Sequence, residues 1–301
     1  MAVLSPAQIR AYRDDGYVVL EGAIDIEMVS RARQALARIV ERARFVQAND
    51  DVFDLEDSHS AAEPRVRRVK SPHRHDPVFE EIVRSPRVLG ACVDLLGPNV
   101  RLQNSKLNLK SAGYGAPVEW HQDWAFYPHT NDDVLAIGVM LDDITTENGP
   151  MLVLPGSHKG PIHDHHAQGR FCGAIDPVAC GVDFARARPT LGPAGSISLH
   201  HVRAVHGSDT NRSGRDRRFL LYEVMAADAW PIAGGLMKVE DFDEYNSRLL
   251  CGEPTNQPRL ADVPVRMPLP RALDGSSIYQ SQKAVEHRFF RTAEEMQRAQ
   301  T

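Results

Sequence analysis

The sequence predicts a mainly β fold, a sandwich or barrel, with helices packed on its N-terminal side. Two observations carry this. From residue 100 onward, short apolar or alternating runs are cut by Gly, Pro and Asn, the texture of many short strands. Before residue 98, apolar residues instead recur at helical spacing. No linker interrupts the chain, so one domain over 1–301 is expected: a helical N-terminal region 1–98, a β core about 99–230 and an extension 231–301.

In chain order, Ser5-Pro6-Ala7-Gln8 reads as a helix start. Ser5 caps, Pro6 suits the first helical position and Gln8 completes a capping box. Gly16 ends that helix, and Tyr17–Leu20 reads as a strand. Asp25 caps a second helix with the stripe Ile26, Val29, Leu36, Ile39 and Val40, filled in by Ala32, Ala35 and Ala43. Residues 47–65 are polar and acidic and read as a surface loop. Val78 to Leu96 has one helical pattern, closed by Gly97-Pro98. Strands are expected near 100–110, 117–121, 134–141, 150–154, 195–202 and 217–226. Loop 155–190 is expected over the open end of the sheet structure.

Composition narrows the function classes. The 301 residues are 42% hydrophobic and 25% charged, with a formal net charge of −5, ordinary for a globular protein with a sizeable core. There is no basic surplus for nucleic acid and no apolar run long enough to span a bilayer. The start MAVLSPAQIR lacks the pattern of a signal peptide. Cys92, Cys172, Cys180 and Cys251 form no C-x-x-C pair, so reduced thiols and a cytoplasmic location are expected.

His121-Gln122-Asp123 is the first chemical signal. At a strand end, residues i and i+2 point to one side, so an imidazole and a carboxylate converge. A second histidine would complete a two-histidine, one-carboxylate face with three open positions, which suits oxygen activation by Fe(II). His206, where the run 196–202 feeds a turn, is the candidate third ligand; the alternative is a turn histidine that only hydrogen-bonds. Eleven residues later Arg217 opens a strand, sharing a face with Phe219, Leu221, Glu223 and Met225. An inward arginine needs an anion, and the far carboxylate of 2-oxoglutarate offers fork-on-fork geometry. Alternatively Arg217 joins Arg215 and Arg218 in a surface cluster. On strand 100–110, Asn104 and Asn108 share a face with Lys106 and Lys110. They are either interior amides near the metal or members of a solvent-facing polar strand.

Trp120, Trp124, Phe126, Tyr127 and His129 surround the first motif, as pocket walls or as core aromatics. The loop from His158 to His166 is rich in histidine and reads either as a polar lid segment or as a second metal site. Glu119, Asp142 and Asp143 are candidates for hydrogen bonds around the metal, the last two equally for surface turns.

The segments DGYVVLEGAID (15–25), SKLNLKSAGYGAPVEWHQDWAFYPHTNDD (105–133), GVMLDDITTENGPMLVLPGSHKG (138–160) and HGSDTNRSGRDRR (206–218), with the tail from Val263 to Phe290, resemble the phytanoyl-CoA dioxygenase family of Fe(II)/2-oxoglutarate oxygenases. That resemblance implies a double-stranded β-helix, a cupin-like jelly roll. It implies that His121, Asp123 and His206 ligate Fe(II) and that Arg217 pairs the far carboxylate of 2-oxoglutarate. It also assigns Asn104, Asn108, Tyr127 and Ser208 to cosubstrate contacts, although many relatives have glutamine at the Asn104 position. Relatives that halogenate lack the metal-binding carboxylate, so Asp123 implies hydroxylation, or a related oxidation, with O2 as cosubstrate and release of succinate and CO2. A small organic substrate is expected, and the lack of a basic tract disfavours a polyanion such as a CoA ester. Two other classes stay open: a cupin-like metalloenzyme that does not use 2-oxoglutarate, and a non-catalytic jelly-roll binding protein. Substrate identity and oligomeric state are not legible.

Overall fold

The computed structural model describes residues 2–113, 115–233, 239, 241–273, 277–292 and 295; some of the extension 231–301 and of the tail from Val263 to Phe290 therefore lies outside the described residues. In chain order the elements are α1 (Pro6–Asp15), β1 (Tyr17–Leu20), α2 (Ile26–Glu41), β2 (Phe53–Leu55), β3 (Val66–Lys70), α3 (Val78–Arg84), α4 (Pro86–Leu96) and β4 (Val100–Lys110). They continue with β5 (Val118–His121), β6 (Val134–Met140), β7 (Met151–Val153), β8 (His166–Ala167), β9 (Arg170–Phe171) and β10 (Arg188–Pro189). Last come β11 (Ile197–His201), β12 (His206–Ser208), β13 (Arg217–Ala226), α5 (Phe242–Ser247), β14 (Leu249–Cys251) and α6 (Ile278–Ser281).

The strands form a jelly roll. The larger antiparallel sheet runs β1-β11-β6-β13-β4-β3-β2, with β14 also on β4, and the smaller runs β10-β7-β12-β5. From β4 to β7 the chain alternates between the two sheets, and it does so again from β11 to β13. That winding brings strands far apart in sequence side by side.

Strand parity decides what faces the interior. Leu107 on β4, Leu135, Ile137 and Val139 on β6, Ile197 and Leu199 on β11, and Leu220, Tyr222 and Val224 on β13 join the helices in one hydrophobic core. Full burial of each large side chain stabilises by about 1.5–3 kcal/mol. The alternate residues look the other way, into the roll. In register, Lys110, Asn108, Lys106 and Asn104 stand opposite Arg217, Phe219, Leu221 and Glu223.

The helix starts are as the sequence predicts: Ser5 and Gln8 form the capping box, Asp25 accepts from the Met28 amide, and Gly16 closes α1 at φ 82°. Three expectations need correction. The stripe of α2 buries Val29, Ala32, Ala35, Leu36 and Ile39, but Ile26 is 63% exposed because the first helical residue lies outside the buried arc. The run from Val78 to Leu96 is two helices, since Ser85, before Pro86, is extended. Residues 47–65 are not only loop: β2 lies there, fully buried, and pairs with β3, which itself pairs with β4. With β1 on β11, the N-terminal region 1–98 is therefore helical and sheet-forming at once.

Candidate active site

The pairing of β5 with β12 places His121 opposite His206, with ring centroids 4.1 Å apart. Asp123 opens a short 3-10 turn directly after β5, and its carboxylate returns toward both rings. His121 Nε2 lies 3.8 Å from Asp123 Oδ1 and His206 Nε2 lies 3.9 Å from Asp123 Oδ2. All three residues are buried, and their donor atoms lie within 4.8 Å of one another. His121 Nδ1 donates to the Glu119 carbonyl at 2.8 Å and His206 Nδ1 to the Ala204 carbonyl at 2.9 Å. These bonds fix the tautomer and aim both Nε2 lone pairs inward.

Electrostatics favours the same charge states. Burial, then the facing His206 ring, holds His121 well below the usual histidine range, and burial takes His206 down to about 4. Burial alone would raise Asp123, but Lys106, then His206 and His200, reverse this and leave it well below the usual carboxylate range. Two neutral imidazoles and one carboxylate converge with a side left open, a donor set that fits Fe(II).

Beside the triad lies an inner cavity of about 50 Å3, lined among others by His121, Asp123, His206, Arg217, Lys110 and Ser208. Arg217 is 3% exposed. Its Nη2 donates to the Gly149 carbonyl at 2.8 Å, its guanidinium lies 5.3 Å from the centre of the Phe219 ring, and its buried Nε has no partner. Burial lowers its pKa to about 10. Lys110, its partner across the strands, is also buried and donates to Ser208 Oγ at 2.9 Å and to the Asp209 carbonyl. Burial, then Arg217, pushes Lys110 well below the usual lysine range. A buried guanidinium with an orphaned N–H, facing a buried lysine whose charged form needs an anion, fits a carboxylate.

An outer cavity of about 540 Å3, open to solvent, adjoins on the other side of Asp123. Phe126 and Phe171, in edge contact at 5.0 Å between ring centroids, wall one side of it. Lys106 and Arg68 line both cavities. Lys106 Nζ pairs with Glu223 Oε1 at 2.8 Å. Burial pulls its pKa down, but Glu223 and then Asp123 more than offset this, so the ammonium persists.

The residues expected at the cosubstrate thus separate. Asn108, Ser208 and Arg217 meet in the inner cavity, Asn108 Oδ1 accepting from Arg68 Nε at 3.0 Å. Asn104 and Tyr127 line the outer one. Asn104 Oδ1 accepts from Ser71 Oγ at 3.3 Å, and Tyr127 stands beside Asp123 and Glu223, its phenol pKa raised by burial and then by those carboxylates. Sequence reading missed Arg68, Lys106 and Lys110 as site residues, and His200, whose Nε2 lies 3.5 Å from Asp123 Oδ2. Of the three candidates around the metal, Glu119 supports His121 through its carbonyl while its carboxylate accepts from the Phe289 and Phe290 amides. Asp142 pairs with Arg218 and Arg33, and Asp143 accepts from the Ala194 amide. Trp120 is core, stacked on Phe184 at 4.7 Å.

The histidine-rich loop is held by structural bonds. His158 donates to the Arg13 carbonyl, and His166 bonds to Asp164 and to the Leu269 carbonyl. His165 Nε2 accepts from the Gln122 amide at 2.9 Å while Nδ1 donates to the His163 carbonyl at 2.9 Å, a pattern only the neutral ring can make. Burial takes His165 and His129 to about 4, against 6.5 unperturbed. The unfolded chain takes up protons as pH falls through 6.5, whereas the folded rings wait until about 4. The stability that these neutral rings give the metal-free protein is therefore expected to be lost across that window. Melting temperatures that stay flat between pH 6.5 and pH 4 would contradict this.

A jelly roll with a buried two-histidine, one-carboxylate face defines the class of iron-dependent oxygenases. Comparison with known proteins places the chain within it. The model of the phytanoyl-CoA dioxygenase (PhyH) family matches residues 12–219, and the chain belongs to this family. A Stutzerimonas stutzeri protein described as a "Probable alpha-ketoglutarate-dependent hypophosphite dioxygenase" is 38% identical over 287 residues, covering 94% of this chain and 99% of its own. The L-proline trans-4-hydroxylase of Streptomyces griseoviridis is 32% identical, covering 73% and 85%. In fold, the chain resembles the crystal structure of EctD from S. alaskensis with bound Fe, with a TM-score of 0.64 at 24% identity over 86% of this chain and 89% of that one. The chain is thus an Fe(II)/2-oxoglutarate-dependent dioxygenase acting on a small molecule. Among the described residues, no helix is long and apolar enough to cross a membrane.

Proposed function

We propose that His121, Asp123 and His206 hold Fe(II), and that 2-oxoglutarate occupies the inner cavity with its far carboxylate on Arg217, Lys110 and Ser208. The observation that carries this is the buried Arg217, with an unpartnered Nε and with no carboxylate among the described residues in ion-pair contact. Asn108 lies in the same cavity; Asn104 and Tyr127 belong to the substrate side. The enzyme works as a single domain over 1–301 in the cytoplasm, on a small-molecule substrate and without a nucleic-acid or membrane partner.

When bound, iron and 2-oxoglutarate supply the oxidising power to convert an X–H bond into X–OH, with release of succinate and CO2. The protein contributes charge and position. His121 and His206 offer neutral nitrogens already aimed by backbone carbonyls, and Asp123 stays ionised beside them. Arg217 and Lys110 fix one end of the cosubstrate, so its other end is directed at the triad. Ile278 and Tyr279 on α6 cover the inner cavity, and Phe126 and Phe171 wall the outer one, which limits water at the reacting centre.

The deciding experiment is an anaerobic titration of the Fe(II)-loaded protein with 2-oxoglutarate, followed by its visible metal-to-ligand charge-transfer band. A saturable band is expected. Its absence from folded, iron-loaded protein would overturn the reading and favour a cupin-like enzyme or a binding protein. Hypophosphite and L-proline, the substrates for which two relatives are named, open the panel for substrate-dependent succinate release.

A further inference from the structure

The outer cavity carries an imbalance of charge that the cosubstrate does not absorb. Arg68, Lys70, Lys106 and Arg271 line it, against Asp51 and Glu223 once Asp123 is committed to the metal. Lys70 is engaged by Asp54 at 2.9 Å and Arg68 by Asn108 at 3.0 Å. Lys106 is different. It stands where the two cavities meet, beside the metal carboxylate, with its side chain 19% exposed. Its one anionic partner among the described residues, Glu223, is buried and keeps a second oxygen without a partner, so the ammonium is held at one point and open at its other N–H groups. Hydroxyl and amide groups of Ser71, Asn104 and Tyr127 line the same cavity, while Phe126 and Phe171 offer room for an apolar remainder.

We propose that the substrate carries an oxyanion head group, a carboxylate or a phosphorus oxyanion, and that Lys106 grips this head from the outer cavity. An anion held there lies against the triad, so the X–H bond next to the head group is the one presented for oxidation. That bond becomes X–OH with one atom of O2; the other atom goes to 2-oxoglutarate, which leaves as succinate and CO2. Glu223 keeps the ammonium in place in the absence of the anion and remains its second partner afterwards. This rests on the reading that 2-oxoglutarate fills the inner cavity, because Lys106 borders both.

The test is calorimetric, on anaerobic Fe(II)-loaded protein saturated with 2-oxoglutarate. Methylphosphonate and propionate are titrated in turn, with propionamide as the neutral counterpart. At least one anion is expected to bind at millimolar concentration and propionamide is not; which anion binds separates the phosphorus from the carboxylate case. Lys106→Met is expected to weaken the anion about thirtyfold or more, and Lys106→Arg to restore most of it. Because Lys106→Met leaves Glu223 buried and alone, the double variant Lys106→Met/Glu223→Gln is measured beside it and is expected to show the same loss with a cooperative melt. The affinity for 2-oxoglutarate is expected to stay within about threefold of wild type in all of them. No binding of either anion, equal binding of propionamide, or a loss in Lys106→Met that falls on 2-oxoglutarate instead of the anion would each overturn the proposal. A missing charge-transfer band in the same sample would instead count against the cosubstrate reading, and a Lys106-dependent anion site would survive it.

Discussion

Replacing Asp123 with alanine is expected to abolish coupled oxidation and to strip the protein of firmly held Fe(II). Asp123 supplies the only negative charge among the three donors, and its oxygens lie 3.8 and 3.9 Å from the two ring nitrogens. A partner that merely supports a ligand is worth about 10–100-fold in metal affinity, so a direct anionic ligand is expected to exceed that. The fold should survive, since Lys106 keeps Glu223 and the histidine rings are neutral without the carboxylate. Iron content after anaerobic gel filtration, set beside a melting curve, measures both. Iron retained at the wild-type level would remove Asp123 from the metal centre.

Arg217→Ala is expected to weaken 2-oxoglutarate by about a hundredfold or more while leaving Fe(II) binding intact. Breaking a buried charge pair costs about 3–5 kcal/mol, and about 2.8 kcal/mol is already two decades of affinity. Arg217→Lys should recover only some of this, because an ammonium cannot make the paired bonds of a guanidinium. A second readout uses stability. Saturating cosubstrate at about 100 times its Kd adds about 2.7 kcal/mol to the folded state, and this rise in melting temperature is expected in wild type and lost in Arg217→Ala. An unchanged affinity would place the cosubstrate elsewhere.

Much of this site was legible because strands have a period of two. The face shared by Asn104, Lys106, Asn108 and Lys110, and that shared by Arg217, Phe219, Leu221 and Glu223, follow from counting, and the sheet does turn both inward. Counting could not choose among Arg215, Arg217 and Arg218, because that needs the starting face of β13; in the fold, Arg218 pairs with Asp142 outside and Arg217 is enclosed. Nor could it tell that Asn108 and Asn104 serve different cavities, since the boundary is Lys106 between them. The lysines escaped notice as site residues because a lysine on a strand is ordinarily solvated; here Lys110 is buried against Ser208 on β12, and Lys106 pairs with Glu223 on the adjacent β13. β2 was hidden for a related reason. Asp54 and Glu56 look like loop acids, yet both are buried by pairing with Lys70 and Arg67 on the neighbouring strand, a match that only the register reveals.

β5 is the outermost strand of the smaller sheet, only four residues long; it pairs with β12 on one side, and on the other the Trp120 carbonyl accepts from the Ile175 amide and the Glu119 amide donates to Gln282 Oε1. Its two-point contact is His121 against His206, with the ladder slipping before Ser208 meets Val118. An ion shared by these two histidines therefore acts as a cross-link between segments far apart in the chain, and closing so long a loop limits the unfolded ensemble much as a disulfide does. Without it, this short strand is held by its pairing with β12, by those two hydrogen bonds and by Trp120 packed on the tail at Phe290. Metal depletion thus loosens the architecture at the place where it disarms the chemistry, and iron-free protein is expected to melt at a lower temperature than iron-loaded protein.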